Sequence, residues 1–134
     1  MRWQPASDIK TRVKFLVINL GFSGFNLAQI FCFRSFGSTG RATARIWSLP
    51  TIWQIALNSP PGYCLEVISE KFDRLNLAEQ EKVLIHELLH VPKGFSGGLV
   101  PHRTSKRRLF RHYHDQVESL YNSLALKSYE NSSR

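Results

Sequence analysis

The chain has 134 residues, which is enough for one domain with a single hydrophobic core and too short for two ordinary domains. A hydrophobic share of 43%, a charged share of 21% and an aromatic share of 12% exclude a disordered chain and indicate a soluble globular protein. The 18 Lys and Arg residues against 10 Asp and Glu residues give a net charge of +8, which favours an anionic partner such as nucleic acid or a membrane surface.

The first predicted element is a helix that begins at Pro5-Ala6-Ser7-Asp8 and carries apolar residues at helical spacing up to Leu20. No charged residue occurs from Phe15 to Phe33, so on length alone this run is a borderline membrane span. Three amide side chains and the breaker cluster at 21–24 interrupt it, which favours a helix end, a turn and the start of a strand. We therefore expect no membrane role for this run.

The middle of the chain predicts a small sheet, and with the flanking helices it indicates an α+β fold. A strand, a Gly/Ser turn, a second strand, a short helix and a third strand are expected, in that order, over residues 27–33, 34–41, 42–49, 51–57 and 63–68. Cys32 and Cys64 lie in apolar runs, and neither belongs to a C-x-x-C pair. We expect two free thiols and a cytoplasmic protein.

The next element is a helix expected over residues 77–91. Asn76 followed by Glu79 resembles a capping box at its start, and Pro92 would close it. We expect the strand that precedes this helix to offer a sheet edge along which a substrate peptide could add.

Within this helix lies an HExxH sequence, formed by His86, Glu87 and His90. At 100° per residue the two histidines project from one face, one turn apart, where both imidazoles can reach one metal ion. Glu87 would then take a proton from a water on that ion, as in a zinc hydrolase. The alternative is a pair of buried core histidines satisfied by neighbouring groups, which this triplet makes less favoured.

A third protein ligand is needed to leave an open position on zinc, and the sequence offers alternatives. His102 is favoured, because the glycine-rich loop at 94–98 would let the chain turn back over the helix. Glu118 in the last helix is the alternative metal ligand, with His112 and His114 as weaker choices. Position 96 is Ser, which excludes the metzincin pattern.

The final predicted helix spans residues 105–126 and is basic. Its candidate nucleic-acid-binding residues are Lys106, Arg107, Arg108 and Arg111. Three further arginines flank the Gly/Ser turn, namely Arg34, Arg41 and Arg45. A solvated helix face is the competing interpretation of such charges. We treat residues 1–134 as one metallopeptidase-like domain and expect residues 127–134 to form a flexible polar tail.

Longer stretches of the chain resemble a metallopeptidase family described from phage, bacterial and archaeal sequences. The stretches that carry the resemblance are Glu66-Val67-Ile68-Ser69-Glu70-Lys71-Phe72-Asp73, Ile85-His86-Glu87-Leu88-Leu89-His90-Val91-Pro92-Lys93, Phe95-Ser96-Gly97-Gly98-Leu99 and Pro101-His102. The resemblance implies a small zincin-like fold with an N-terminal helix, a three-stranded sheet, an HExxH active-site helix and a C-terminal helix. It also implies His86, Glu87, His90 and His102 as the site positions. More distantly, the order of elements is similar to that of SprT-like proteases, which act on proteins bound or crosslinked to DNA.

The function that these observations favour is a zinc-dependent metallopeptidase with Zn²⁺ as cofactor and a peptide or protein as substrate. The alternatives are a basic nucleic-acid-binding protein with a structural zinc and a protease acting on DNA-bound proteins. Glu66, Asp73 and Asp115 are candidates for orienting the imidazoles, and Tyr113 for stabilising an oxyanion. The sequence leaves the oligomeric state open.

Overall fold

In a computed structural model that describes residues 1–101, 114–124 and 126, the chain forms an α+β fold on one four-stranded mixed sheet. The strands are β1 (Arg2–Pro5), β2 (Ile30–Phe36), β3 (Ala44–Ser48) and β4 (Tyr63–Ile68). The helices are α1 (Ser7–Asn19), α2 (Thr51–Leu57), α3 (Ser69–Phe72) and α4 (Leu77–Leu89), with a single 3₁₀ turn at Leu27–Gln29. Residues 114–124 are also helical.

The sheet has the order β1-β2-β4-β3, in which β2 and β4 are parallel and the other two pairs are antiparallel. The last strand before α4 is therefore an inner strand, paired on both sides. The expectation that it offers an edge to a substrate is wrong, because β3, which precedes it in the chain and leads into α2, pairs with it on the side opposite β2. Among the described strands, β3 is the edge strand that α4 contacts.

The predicted three-stranded sheet is also wrong, since β1 adds a fourth strand before the N-terminal helix. All four residues of β1 are exposed, and the strand ends in Pro5, so its sequence has no buried apolar alternation to signal a strand. β1 forms only because β2 supplies an antiparallel partner. The strand predicted over residues 27–33 begins three residues later in the structure, at Ile30, because a 3₁₀ turn capped by Asn26 precedes it.

The hydrophobic core lies between the inner face of the sheet and the two long helices. Its fully buried members on the helices are Ile9, Val13, Leu16, Leu84, Ile85 and Leu88. Arg12 joins the two helices through Gln80, whose side-chain oxygen accepts a hydrogen bond of 2.8 Å from the Arg12 guanidinium. The Lys10 ammonium donates to the backbone carbonyls of Leu27 and Ile30 and so ties α1 to the start of β2.

Part of the predicted C-terminal helix is described. Val117 and Leu124 are buried and Leu120 packs against the core. The candidate ligand His102, the basic residues Lys106, Arg107, Arg108 and Arg111, and the tail at 127–134 lie outside the described residues. In the part of the chain that the structure describes, no helix is long and apolar enough to cross a membrane.

Candidate metal centre

Helix α4 places the HExxH residues in its last turn. The helix begins where the Asn76 side-chain oxygen accepts a hydrogen bond of 2.8 Å from the backbone N–H of Glu79, which confirms the predicted N-cap. The Asn76 amide donates in turn to the Glu79 carboxylate at 2.8 Å. The helix ends at Leu89, two residues before the predicted end, and His90 is its C-cap.

The two histidines lie one above the other, as their spacing predicts. The ring centroids of His86 and His90 are 5.1 Å apart and the ring planes meet at 75°. Two imidazoles that share a tetrahedral zinc ion at about 2.0–2.1 Å per nitrogen have centroids about 5 Å apart. The distance between the two rings is therefore of the size that a shared metal ion would need. Both side chains are half-buried, which is more exposure than the alternative of two buried core histidines implies.

The His90 ring is held in one orientation by a neighbouring loop. Its Nδ1 lies 2.6 Å from the backbone carbonyl oxygen of Val100. A carbonyl only accepts hydrogen bonds, so Nδ1 is the donor, and in the neutral ring Nε2 would then carry the lone pair. A histidine that binds a metal ion needs this tautomer, and a hydrogen bond from its other ring nitrogen commonly orients the ring. The N–H of Val100 donates to the carbonyl of His90 at 2.6 Å, which fastens the loop to the helix end.

Glu87 is the buried polar group of the triplet. It is 8% exposed, and burial of the charged form raises the pKa of its carboxyl group to about 7. A carboxyl group with a pKa near neutrality accepts and releases a proton at working pH, as a general base must. Its position next to His86 on the helix brings this group to the face that the histidines share.

A cavity of about 390 Å³ opens beside His86 and Glu87. It is lined by Thr43, Ala44, Lys82, Val83, His86, Glu87, His114, Val117 and Glu118. Two of the alternative ligands, His114 and Glu118, thus share this cavity with His86 and Glu87. The Glu118 carboxylate forms an ion pair of 3.0 Å with the Lys82 ammonium.

His86 and His90 are two candidate metal ligands, and an open zinc site has three protein ligands. No group of three His, Cys, Asp or Glu side chains that could hold a metal ion occurs among residues 1–101, 114–124 and 126. Glu118 is described and is not part of such a group. The favoured candidate for the third ligand, His102, lies outside the described residues.

Comparison with protein families identifies the chain. Residues 1–125 match the family model described as "Putative phage metallopeptidase". The chain belongs to this family. The match includes β1, the HExxH residues, His102 and the helical residues 114–124. No curated protein and no solved structure matches the chain significantly.

Several residues expected to serve this metallopeptidase site have other contacts. Asp73 accepts two hydrogen bonds from the Arg34 guanidinium, at 3.1 and 3.3 Å, and one from Ser69. Glu66 accepts a hydrogen bond from the Trp47 indole at 2.9 Å, and Arg45 lies 3.7 Å from its other oxygen. Asp115 is exposed, and Tyr113 lies outside the described residues.

The same contacts bear on the arginines near the Gly/Ser turn. Arg34 forms ion pairs with Asp8 at 2.6 Å and with Asp73 at 3.1 Å, so it joins β2 to the start of α1 and to the end of α3. Arg45 pairs with the buried Glu66. Both therefore have structural partners in the metallopeptidase fold. Nucleic-acid binding by the basic residues of the last helix stays a prediction.

Sequence reasoning missed two groups that shape the site. The Val100 carbonyl orients His90, and backbone atoms give no signal in a sequence. The Tyr63 hydroxyl contacts the glycine loop, accepting from the Gly97 N–H and donating to the Gly98 carbonyl, both at 2.8 Å. A hydroxyl on an otherwise apolar strand is a signal that could have found Tyr63, because a buried hydroxyl requires hydrogen-bond partners.

Proposed function

We propose that this protein is a zinc-dependent peptidase that hydrolyses peptide bonds, with Glu87 as the general base. The observation that carries the proposal is the buried Glu87 carboxyl group beside two imidazoles that meet edge-on, one of which has its Nδ1 held by a backbone carbonyl. Membership of a metallopeptidase family supports the same reaction class.

His86, His90 and His102 would hold the metal ion. A bound Zn²⁺ supplies a Lewis acid that polarises a carbonyl group and lowers the pKa of a water molecule. His102 is the preferred third ligand because it follows Val100 by two residues, and Val100 is hydrogen-bonded to His90 through both of its backbone groups. Glu118 is the less favoured ligand because Lys82 already neutralises its charge.

Glu87 would take the proton of the attacking water and pass it to the leaving amine. Its burial in the described structure shields the carboxyl group from bulk water and raises its pKa to about 7. This pKa suits proton transfer at neutral pH. The cavity beside it has room for a peptide group, and it is bordered by Ala44 at the start of the edge strand β3. Substrate would therefore approach from the side of β3.

The test combines metal analysis with peptidase assays on matched variants. We expect the purified protein to contain close to one zinc ion per chain, measured by inductively coupled plasma mass spectrometry. His86→Ala and His102→Ala should lose the zinc. Glu118→Ala and His114→Ala should retain it, because neither residue is in the proposed ligand set.

Glu87→Gln separates metal binding from catalysis. We expect this variant to keep its zinc and to lose activity on a fluorogenic peptide library by roughly 10²- to 10⁴-fold, the usual contribution of a general base. Full activity in Glu87→Gln would overturn the mechanism. Zinc lost from Glu118→Ala but kept in His102→Ala would replace the proposed ligand set.

A further inference from the structure

The loop over residues 91–101 connects the end of α4 to His102, and the structure fixes it at three places. Near its start, the N–H of Phe95 donates to the Pro92 carbonyl at 2.9 Å and closes a turn. At its end, Val100 forms two hydrogen bonds with His90. Between these places lie Gly97 and Gly98, which have no side chains to anchor the chain.

Tyr63 supplies the missing anchor in the middle of the loop. Its ring is 1% exposed at the start of strand β4 and packs edge-on against Phe95, with centroids 4.8 Å apart. Its hydroxyl accepts a hydrogen bond from the N–H of Gly97 and donates one to the carbonyl of Gly98, both at 2.8 Å. The loop is thus tied to an inner strand of the sheet, which is among the most rigid parts of a fold.

We propose that Tyr63 is a positioning residue of the metal centre, whose hydroxyl holds the glycine loop so that the Val100 carbonyl stays on His90. The proposal rests on the proposed function for the role of His90 as a metal ligand. Its physical basis is entropy, because a free segment with two adjacent glycines samples many backbone conformations. Only a small part of these keeps Val100 against His90.

The orientation of His90 depends on this anchor. A loop released at Gly97 no longer holds the Val100 carbonyl on the Nδ1 of His90. The imidazole can then turn away from the orientation that metal binding requires. Release of the loop therefore weakens metal binding without removing a ligand.

Tyr63→Phe tests this directly, because it keeps the ring that packs on Phe95 and removes only the hydroxyl. In the metal-free protein at pH 8, ¹⁵N NMR of the wild type should show the His90 ring protonated at Nδ1. The Tyr63→Phe variant should show a mixture of both tautomers. Its affinity for zinc, measured by competition with a chromophoric chelator, should fall roughly 10- to 100-fold, as for loss of other groups that orient metal ligands.

A core variant separates positioning from a general loss of stability. Val13→Ala removes buried methyl groups from α1, which contributes no residue to the loop or the HExxH triplet. We expect it to lower the melting temperature and to leave the His90 tautomer and the zinc affinity unchanged. The proposal is overturned if Tyr63→Phe keeps wild-type tautomer and affinity, or if Val13→Ala loses affinity to the same extent.

Two other outcomes are a Tyr63→Phe variant that does not fold and a wild-type protein that binds no zinc. Should Tyr63→Phe fail to fold, hydrogen exchange of the Gly97 amide in the wild type decides, since protection supports the anchor and exchange at the rate of an open loop refutes it. Should the wild type bind no zinc, the proposed function fails. The tautomer comparison in the metal-free protein then still shows whether Tyr63 orients His90.

Discussion

Replacing Glu87 by Gln should make the metal-free protein more stable at pH 8. The folded protein holds the Glu87 carboxyl group at 8% exposure, where burial raises its pKa from 4.5 to about 7. Gln has nearly the same shape and carries no charge at any pH. The substitution therefore removes the cost of burying a charge and keeps the packing.

The sign of the pH dependence follows from comparing the folded and unfolded states. Well below pH 4.5 the Glu87 carboxyl group is protonated in both states, and its ionisation takes nothing from the free energy of unfolding. As the pH rises towards 7, the unfolded state ionises first, so the free energy of unfolding falls. Above pH 7 both states are ionised and the loss stays constant. A pKa difference of this size corresponds to about 3 kcal/mol, at 1.36 kcal/mol for each pH unit.

The assay is urea unfolding in the presence of a chelator, at pH 5 and at pH 8, for wild type and Glu87→Gln. With a typical m value of about 2 kcal/mol per M urea, the unfolding midpoint of the variant at pH 8 should lie about 1.5 M above that of the wild type. At pH 5 the difference should shrink to about 0.4 M, because the folded carboxyl group is still protonated and the unfolded one has ionised only in part. Glu81→Gln on the same helix is the matched control, because Glu81 pairs with Arg12 at 3.1 Å and its removal should give no gain at pH 8.

A wild-type protein whose stability does not fall between pH 5 and pH 8 relative to Glu87→Gln would refute this reasoning. It would mean that Glu87 ionises in the folded state as easily as in water. The low exposure of its side chain would then not describe its surroundings in solution.

Three further changes test other parts of the fold. Arg34→Met should lower the free energy of unfolding by about 1 kcal/mol at pH 7 and by less at pH 3. The guanidinium lowers the pKa values of its two aspartate partners, and these carboxylates lose their charge in acid. Equal losses at both pH values in urea titrations would contradict this. Gly24→Ala should lower the melting temperature, since its new Cβ would lie 2.6 Å from the Lys93 carbonyl oxygen, whereas Gly94→Ala meets no atom within 4 Å and should leave it nearly unchanged. Asn76→Ala should cost about 1 kcal/mol in chemical unfolding through loss of the helix cap, and an unchanged stability would show that the cap is dispensable.

Local signals predicted most of the elements. The short helix α2 and the strand β4 have the predicted bounds, and the cap of α4 is the predicted Asn76. Both cysteines are free, as predicted, with Cys32 buried and Cys64 half-buried. These features depend on turn residues, apolar runs and caps that act over a few residues. The edge-on contact between the rings of His86 and His90 likewise follows from the helical repeat alone.

Features that depend on distant partners were not predictable in this way. The strand β1 exists because β2 pairs with it, and the sheet order places β4 inside and β3 at the edge. Helical periodicity shows that a residue lies on an apolar helix, yet it does not tell how completely the neighbouring elements cover that residue. Glu87 is buried, whereas the histidines beside it are half-buried.

The sequence by itself determined that His86, Glu87 and His90 lie together at the end of a capped helix, because spacing along a helix sets which side chains share a face. The tertiary structure alone decided the chemistry of each. The covering elements that bury Glu87 raise the pKa of its carboxyl group, and the returning loop puts the Val100 carbonyl on His90. A motif specifies which groups are present, whereas burial and long-range hydrogen bonds decide their protonation.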